Sequence, residues 1–171
     1  MADLNQAGSF SVPADKPTLP SGLKTLTTLT IIGCAMLFLL TAYDFMTSKS
    51  ALEKMEATVN SPEFEKMPDF AKKMMSPEMI DMKRKQVENR MPLTLISVLG
   101  LALCFAGALQ MRKLKAQGYI LYLAGQILPF IGSIIFLGIG SLTNIPGLII
   151  IAIVLLFIIL YTTQRKYLVN K

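Results

Sequence analysis

Histidine is absent from this 171-residue chain, and cysteine occurs only twice. The first absence removes His-ligated haem, most zinc sites and every Ser–His or Cys–His nucleophile pair. The two cysteines, Cys34 and Cys104, both sit in apolar stretches, and no Cys-x-x-Cys occurs. That excludes a disulfide framework in the loops and disfavours thioredoxin-like or quinone-coupled dithiol exchange. A G-x-x-x-x-G-K phosphate loop and an aromatic RNA-binding motif are also missing. No cofactor is expected, and the chain reads as non-enzymatic.

Charge is missing over the longest stretch. From Ala116 to Gln164, 49 consecutive residues contain no Asp, Glu, Lys or Arg. A membrane span needs roughly 20 apolar residues, because the hydrocarbon core is about 30 Å thick and a helix rises about 1.5 Å per residue. The run is too long for one span and fits two with a turn between them. Its turn composition falls at Gly140–Gly147, where Gly, Ser, Thr, Asn and Pro gather. Two further uncharged segments, Thr25–Tyr43 and Met91–Met111, complete a set of four. With 53% hydrophobic residues and a mean hydropathy of +0.52, the composition predicts an all-α integral membrane protein: a four-transmembrane-helix bundle with a helical, amphipathic first loop. The expected spans are residues 25–45, 91–111, 119–140 and 145–163, inside one membrane domain over 21–171. Residues 1–20, with Pro13, Pro17 and Pro20, read as a disordered tail. Few basic residues and an overlong apolar core argue against a cleavable signal peptide, so the first span is read as an uncleaved anchor. Ser21 after Pro20 suits an N-cap.

The loop over 46–90 is polar but nearly neutral. Between Phe45 and Met91 stand nine basic and eight acidic residues. Two Ser-Pro-Glu triplets, at Ser61–Glu63 and Ser76–Glu78, each read as a helix start, with Ser as N-cap, Pro next and an acid near the positive helix end. Apolar stripes at Leu52, Met55 and Val59, at Phe64, Met67, Ala71 and Met74, and at Ile80, Val87 and Met91 have helical spacing. They predict short amphipathic helices on the membrane surface or capping the bundle. Eight of the eleven methionines fall between Met46 and Met91. Met75, Met79 and Met82 would share one helical face, and thioethers suit Cu(I); an adaptable apolar face is the plainer reading.

The net charge of +6 sits beside the spans, which orients a membrane protein and is no nucleic-acid footprint. Arg112, Lys113 and Lys115 crowd a very short loop, with Lys16 and Lys24 before the first span and Arg165, Lys166 and Lys171 after the last. Lys and Arg in short loops favour the cytoplasm, so both termini are expected inside, in a bacterial cytoplasmic membrane. The cluster Lys83, Arg84, Lys85 and Arg90 in the first loop opposes this, but longer segments translocate more readily.

The third span holds the polar candidates. Gln126 and Ser133 accompany Gly125 and Pro129, and the proline frees the Gly125 carbonyl. This is either a hinge or polar site, or a kinked packing helix. Asp44 and Arg90 fall at similar depth, where they can form an interfacial ion pair; an interfacial acid facing water is the plainer reading of Asp44. Gly100, Cys104 and Ala108 form an i, i+4, i+8 line that admits a close neighbour. Cys34 and Cys104 fall at comparable depth, so the neighbour is expected to be span one. The expected function is a structural or accessory interaction subunit, its partners the lipid bilayer and another protein or a second copy. A small-solute transporter or channel subunit is the alternative, weakened by the lack of mid-membrane charge.

Overall fold

The computed structural model describes residues 19–168, and every regular element among them is helical. In order these are α1 (Ser21–Val59), a 3-10 turn (Phe64–Lys66), α2 (Asp69–Met74) and α3 (Pro77–Glu88). Then come α4 (Arg90–Arg112), α5 (Gln117–Leu137), α6 (Gly140–Thr143), α7 (Ile145–Gln164) and a closing 3-10 turn (Arg165–Tyr167). Four helices, α1, α4, α5 and α7, are long and apolar enough to cross a membrane. The tail expected over 1–20 lies outside the described residues, apart from Leu19 and Pro20.

The first correction concerns α1. The helix does not end near residue 45 but runs unbroken for 39 residues, about 58 Å at 1.5 Å per residue. Charge ends a membrane span, not a helix. From Asp44 onward no Gly or Pro interrupts the chain until Pro62, so the Leu52, Met55 and Val59 stripe belongs to this same helix. Ser21 is not a cap: it already lies inside α1, and the Pro20 carbonyl accepts the first bond, from Lys24 N–H.

Of the two Ser-Pro-Glu triplets, only the second starts an α-helix. The Ser76 hydroxyl accepts from Met79 N–H at 3.4 Å, and Pro77 opens α3. Ser61 instead donates to the Thr58 carbonyl at 2.7 Å, folding back on the end of α1, and only the 3-10 turn follows. α3 then lies antiparallel to the far half of α1. Pro77 and Ile80 lie beside Val59 and Asn60, Arg84 meets Glu56 at 2.7 Å, and Lys83 and Gln86 reach back to Asp44. After a break at Asn89 the chain enters α4. The first loop therefore forms a helical hairpin with the far half of α1, in place of a series of separate short helices. It also meets the rest of the bundle through Met82, whose sulfur accepts from Asn144 Nδ2 at 3.6 Å, and through contacts of α3 with α4 and α5.

The tightest packing is between α4 and α5, and glycine sets it. A Cβ added to Gly107 would stand 2.7 Å from the Gly118 carbonyl oxygen, and one on Gly118 would stand 2.6 Å from the Gly107 oxygen. One heptad on, Gly100 and Gly125 repeat the reciprocal contact, at 2.9 and 2.6 Å. Gly132, a further heptad along α5, takes the Ile96 side chain at 3.0 Å. Antiparallel helices with glycine every seventh residue can touch backbone to backbone. Without water to drive association inside lipid, such close contact supplies dispersion and Cα–H···O attraction instead.

The turn between α4 and α5 ends α4 with two bonds, Leu114 N–H to the Met111 carbonyl at 3.0 Å and Lys115 N–H to Gln110 at 3.1 Å. This is a Schellman motif with leucine where glycine is usual. Leu114 adopts φ 57°, a left-handed conformation that costs roughly 1 kcal/mol for a bulky residue. Its side chain is buried in the core, which offsets that cost. At the other end of α5, Gly138 leaves the helix at φ 84°, so the helix stops at Leu137 and not near 140.

α7 is held near its ends. Its buried residues are Gly147 and Tyr161, while Leu148, Ile149, Ile150, Ile153, Leu155, Leu156 and Ile159 are exposed. Asn144 caps it, accepting from Gly147 N–H at 2.7 Å. A helix that is apolar all round with an exposed surface suits a hydrocarbon solvent.

Candidate functional site

Two polar regions interrupt the apolar bundle, one near each end. The first joins all four long helices. The Tyr161 hydroxyl of α7 bonds the Thr30 hydroxyl of α1 at 2.6 Å. Its ring packs on Tyr122 of α5, with centroids 4.5 Å apart and planes tilted by 49°. Gln126 Nε2 donates to the Tyr122 hydroxyl at 2.9 Å. Cys34 of α1 and Cys104 of α4 belong to the same buried cluster, and the Cys104 thiol donates to the Tyr122 carbonyl at 3.7 Å. One turn towards the same end, Arg112 donates through Nε to Thr27 at 3.2 Å and through Nη2 to Thr28. Tyr119 bonds Thr162 at 2.8 Å, and Arg165 covers its ring at 5.6 Å.

These contacts place the start of α1, the α4–α5 turn and the end of α7 at one end of the bundle. The region contains hydroxyls, thiols, one amide and the guanidinium groups of Arg112 and Arg165, and no carboxylate among the described residues. Its groups bond one another across helices, which is how polar side chains hold membrane helices together.

The second region is a cleft of about 290 Å³ at the opposite end, between α1 and α4, where the hairpin begins. Its rim holds Asp44, Gln86 and Arg90, and its walls include Leu37, Leu40, Phe45 and Leu93. Asp44 accepts from Lys83 Nζ at 3.0 Å and from Gln86 Nε2 at 2.9 Å, and Lys83 also reaches Gln86 Oε1 at 3.3 Å. Arg90 sits 5.0 Å over the Phe45 ring. So the Asp44–Arg90 pair that depth allows is replaced by Asp44–Lys83. Depth is legible in sequence, but the direction a side chain takes around the helix is set by α3, which brings Lys83 to the carboxylate first.

The other expected residues divide. Gly125 and Pro129 face α4: a Cβ on Gly100 would meet the Pro129 ring at 2.8 Å and the Gly125 oxygen at 2.9 Å. They form packing surface there. Gln126 bonds within its own helix, four residues back, and does not reach the Gly125 carbonyl. Ser133 is half-buried with no side-chain hydrogen bond among the described residues. Gly100 and Cys104 do lie on a close seam, but the neighbour is α5, and Gly107 rather than Ala108 continues it. Ala108 is fully buried beside the seam. A seam of two packed helices advances 3.5 residues per turn, not 4. The missed signal was the seven-residue spacing of Gly100 and Gly107 against Gly118, Gly125 and Gly132. The Met75, Met79 and Met82 face does not form either. Met75 ends α2 and Ser76 starts a new helix, so only Met79 and Met82 share one. Among the described residues no group of three His, Cys, Asp or Glu side chains gathers to hold a metal. Compared with protein-family models, with curated proteins and with solved structures, the chain matches none.

Proposed function

We propose that this protein is a structural or accessory interaction subunit of a membrane assembly, and that the hairpin formed by the end of α1 with α3 carries the contact. The observation that supports this most is the contrast between the two ends. At one end the polar groups are turned inward and bonded to one another. At the other, the hairpin projects with unspent contact groups: Phe70 and Met74 are exposed on α2, the short helix between its two arms. An extended helix pair beyond the membrane suits docking better than passage of a solute. The absence of mid-depth charge points the same way. Both chain termini and the basic α4–α5 turn lie on the cytoplasmic side in this proposal, and the hairpin on the opposite side.

Purification of the tagged full chain in mild detergent, with and without Phe70→Asp, tests the reading. The native chain is expected to retain a partner at fixed ratio, or itself, and the variant to lose it while remaining helical. Solute flux through liposomes holding the pure chain alone would sink the reading in favour of transport.

A further inference from the structure

The cleft between α1 and α4 has a composition that selects a ligand. Asp44 and Arg90 are the charges that end the two uncharged segments, Thr25–Tyr43 and Met91–Met111. Both therefore stand at the edge of the apolar zone. Leu37 in α1 and Ser97 in α4 each lie seven residues further in, about 10 Å deeper at the helical rise. The cleft thus begins at charged side chains and descends into the depth of lipid tails.

The wall mixes the four apolar side chains Leu37, Leu40, Phe45 and Leu93 with Thr41, Thr94 and Ser97, and two of these three hydroxyls are spent on their own helix backbone. The Thr41 hydroxyl donates to the Leu37 carbonyl and the Ser97 hydroxyl to the Leu93 carbonyl, both at 2.8 Å. Leu37 and Leu40 are 52% and 58% exposed, so the cleft opens sideways to the surroundings of the span and not only to water.

The charges at the rim are unequal. Asp44 is matched by Lys83 and Gln86. Arg90 has no carboxylate within ion-pair distance among the described residues, and the Phe45 ring fixes its position. The rim therefore keeps one uncompensated guanidinium, a fork that fits two phosphate oxygens.

We propose that this cleft binds one anionic phospholipid, with the phosphate on Arg90 and an acyl chain between Leu40 and Leu93. The Asp44–Lys83 pair sets the sign of the preference. Because Lys83 already occupies the carboxylate, the ammonium of a zwitterionic headgroup finds no free acid, while the phosphate finds a free cation. The sideways opening and the 10 Å apolar depth select a lipid over a soluble phosphate. This site stands independently of any partner held by the hairpin.

Native mass spectrometry of the purified full chain, released from micelles containing equal phosphatidylglycerol and phosphatidylcholine, tests it. One phosphatidylglycerol is expected to be retained in about tenfold preference, as a charge-assisted contact in a shielded site warrants. Arg90→Gln should bring the preference close to parity, while Arg84→Gln, a hairpin cation paired with Glu56 outside the cleft, should preserve it. Ser97→Leu should fill the floor and release the lipid with every charge intact, which decides the matter if Arg90→Gln does not fold. Equal retention of both lipids by the native chain overturns the proposal. So does a folded Arg90→Gln that keeps the preference, a Ser97→Leu that holds phosphatidylglycerol like the native chain, or displacement of the lipid by millimolar inorganic phosphate.

Discussion

A single methyl group probes the α4–α5 seam. Gly107→Ala would put a carbon 2.7 Å from the Gly118 oxygen and the Tyr122 nitrogen, both backbone atoms that cannot step aside. The helices must part, and the loss should be about 2 kcal/mol, the scale of overpacking in a close-packed core. Gly33→Ala is the matched control. Nothing lies within 4 Å of its added Cβ, so its effect should be neutral or slightly stabilising. Unfolding in mixed micelles distinguishes the two, and an equal loss at both sites would remove the argument for backbone contact. The Tyr161–Thr30 bond allows a second measurement at this scale. Tyr161→Phe and Thr30→Val should couple by about 0.5–1.5 kcal/mol in a double-mutant cycle, the range for hydrogen bonds between membrane helices. Additivity would mean that the 2.6 Å contact contributes nothing to stability.

At the scale of elements, the attachment of the hairpin to the first span rests on few groups. Asp44 is 47% exposed at its side chain and Lys83 20%, so water screens the pair and its worth is modest. A cycle of Asp44→Asn with Lys83→Gln should give a coupling of roughly 0.5 kcal/mol. The same cycle run with Arg90→Gln should be additive, because the Arg90 guanidinium sits over the Phe45 ring and makes no ion pair with Asp44. Coupling to Arg90 in place of Lys83 would restore the pairing that depth alone allows. These cases show which elements are legible in a sequence and which are not. α4, α5 and α7 begin and end within a few residues of the expected spans, because uncharged runs and turn residues mark both boundaries. α1 was cut short, because Asp44 marks the end of hydropathy and carries no information about where the backbone stops being helical. The Gly100–Cys104 line divides for a related reason: Cys34 and Cys104 do share one buried cluster where α1 packs on α4, but the backbone seam is with α5. Equal depth of Cys34 and Cys104 is compatible with either neighbour, and only the common heptad of glycines on α5 singles out that helix.

At the scale of the whole molecule, the ends of the bundle make topology measurable. Cys34 and Cys104 are buried, so a cysteine placed on the surface is the accessible thiol among the described residues. With the hairpin outside, Asn60→Cys should react with an impermeant maleimide in intact cells, and Lys113→Cys only after permeabilisation. The opposite pattern would invert the proposed orientation while leaving the fold untouched. The unbroken length of α1 has a mechanical meaning beyond its place in the hairpin. From Phe45 to Val59 the helix extends about 22 Å past the apolar zone with no glycine, proline or loop to act as a joint. Span and arm form one rod, so a tilt of the span swings its free end by roughly 4 Å for every 10°. Helices adapt to bilayer thickness by tilting. In the proposed membrane assembly, a partner gripping the tip of this arm would therefore feel how thick the membrane is.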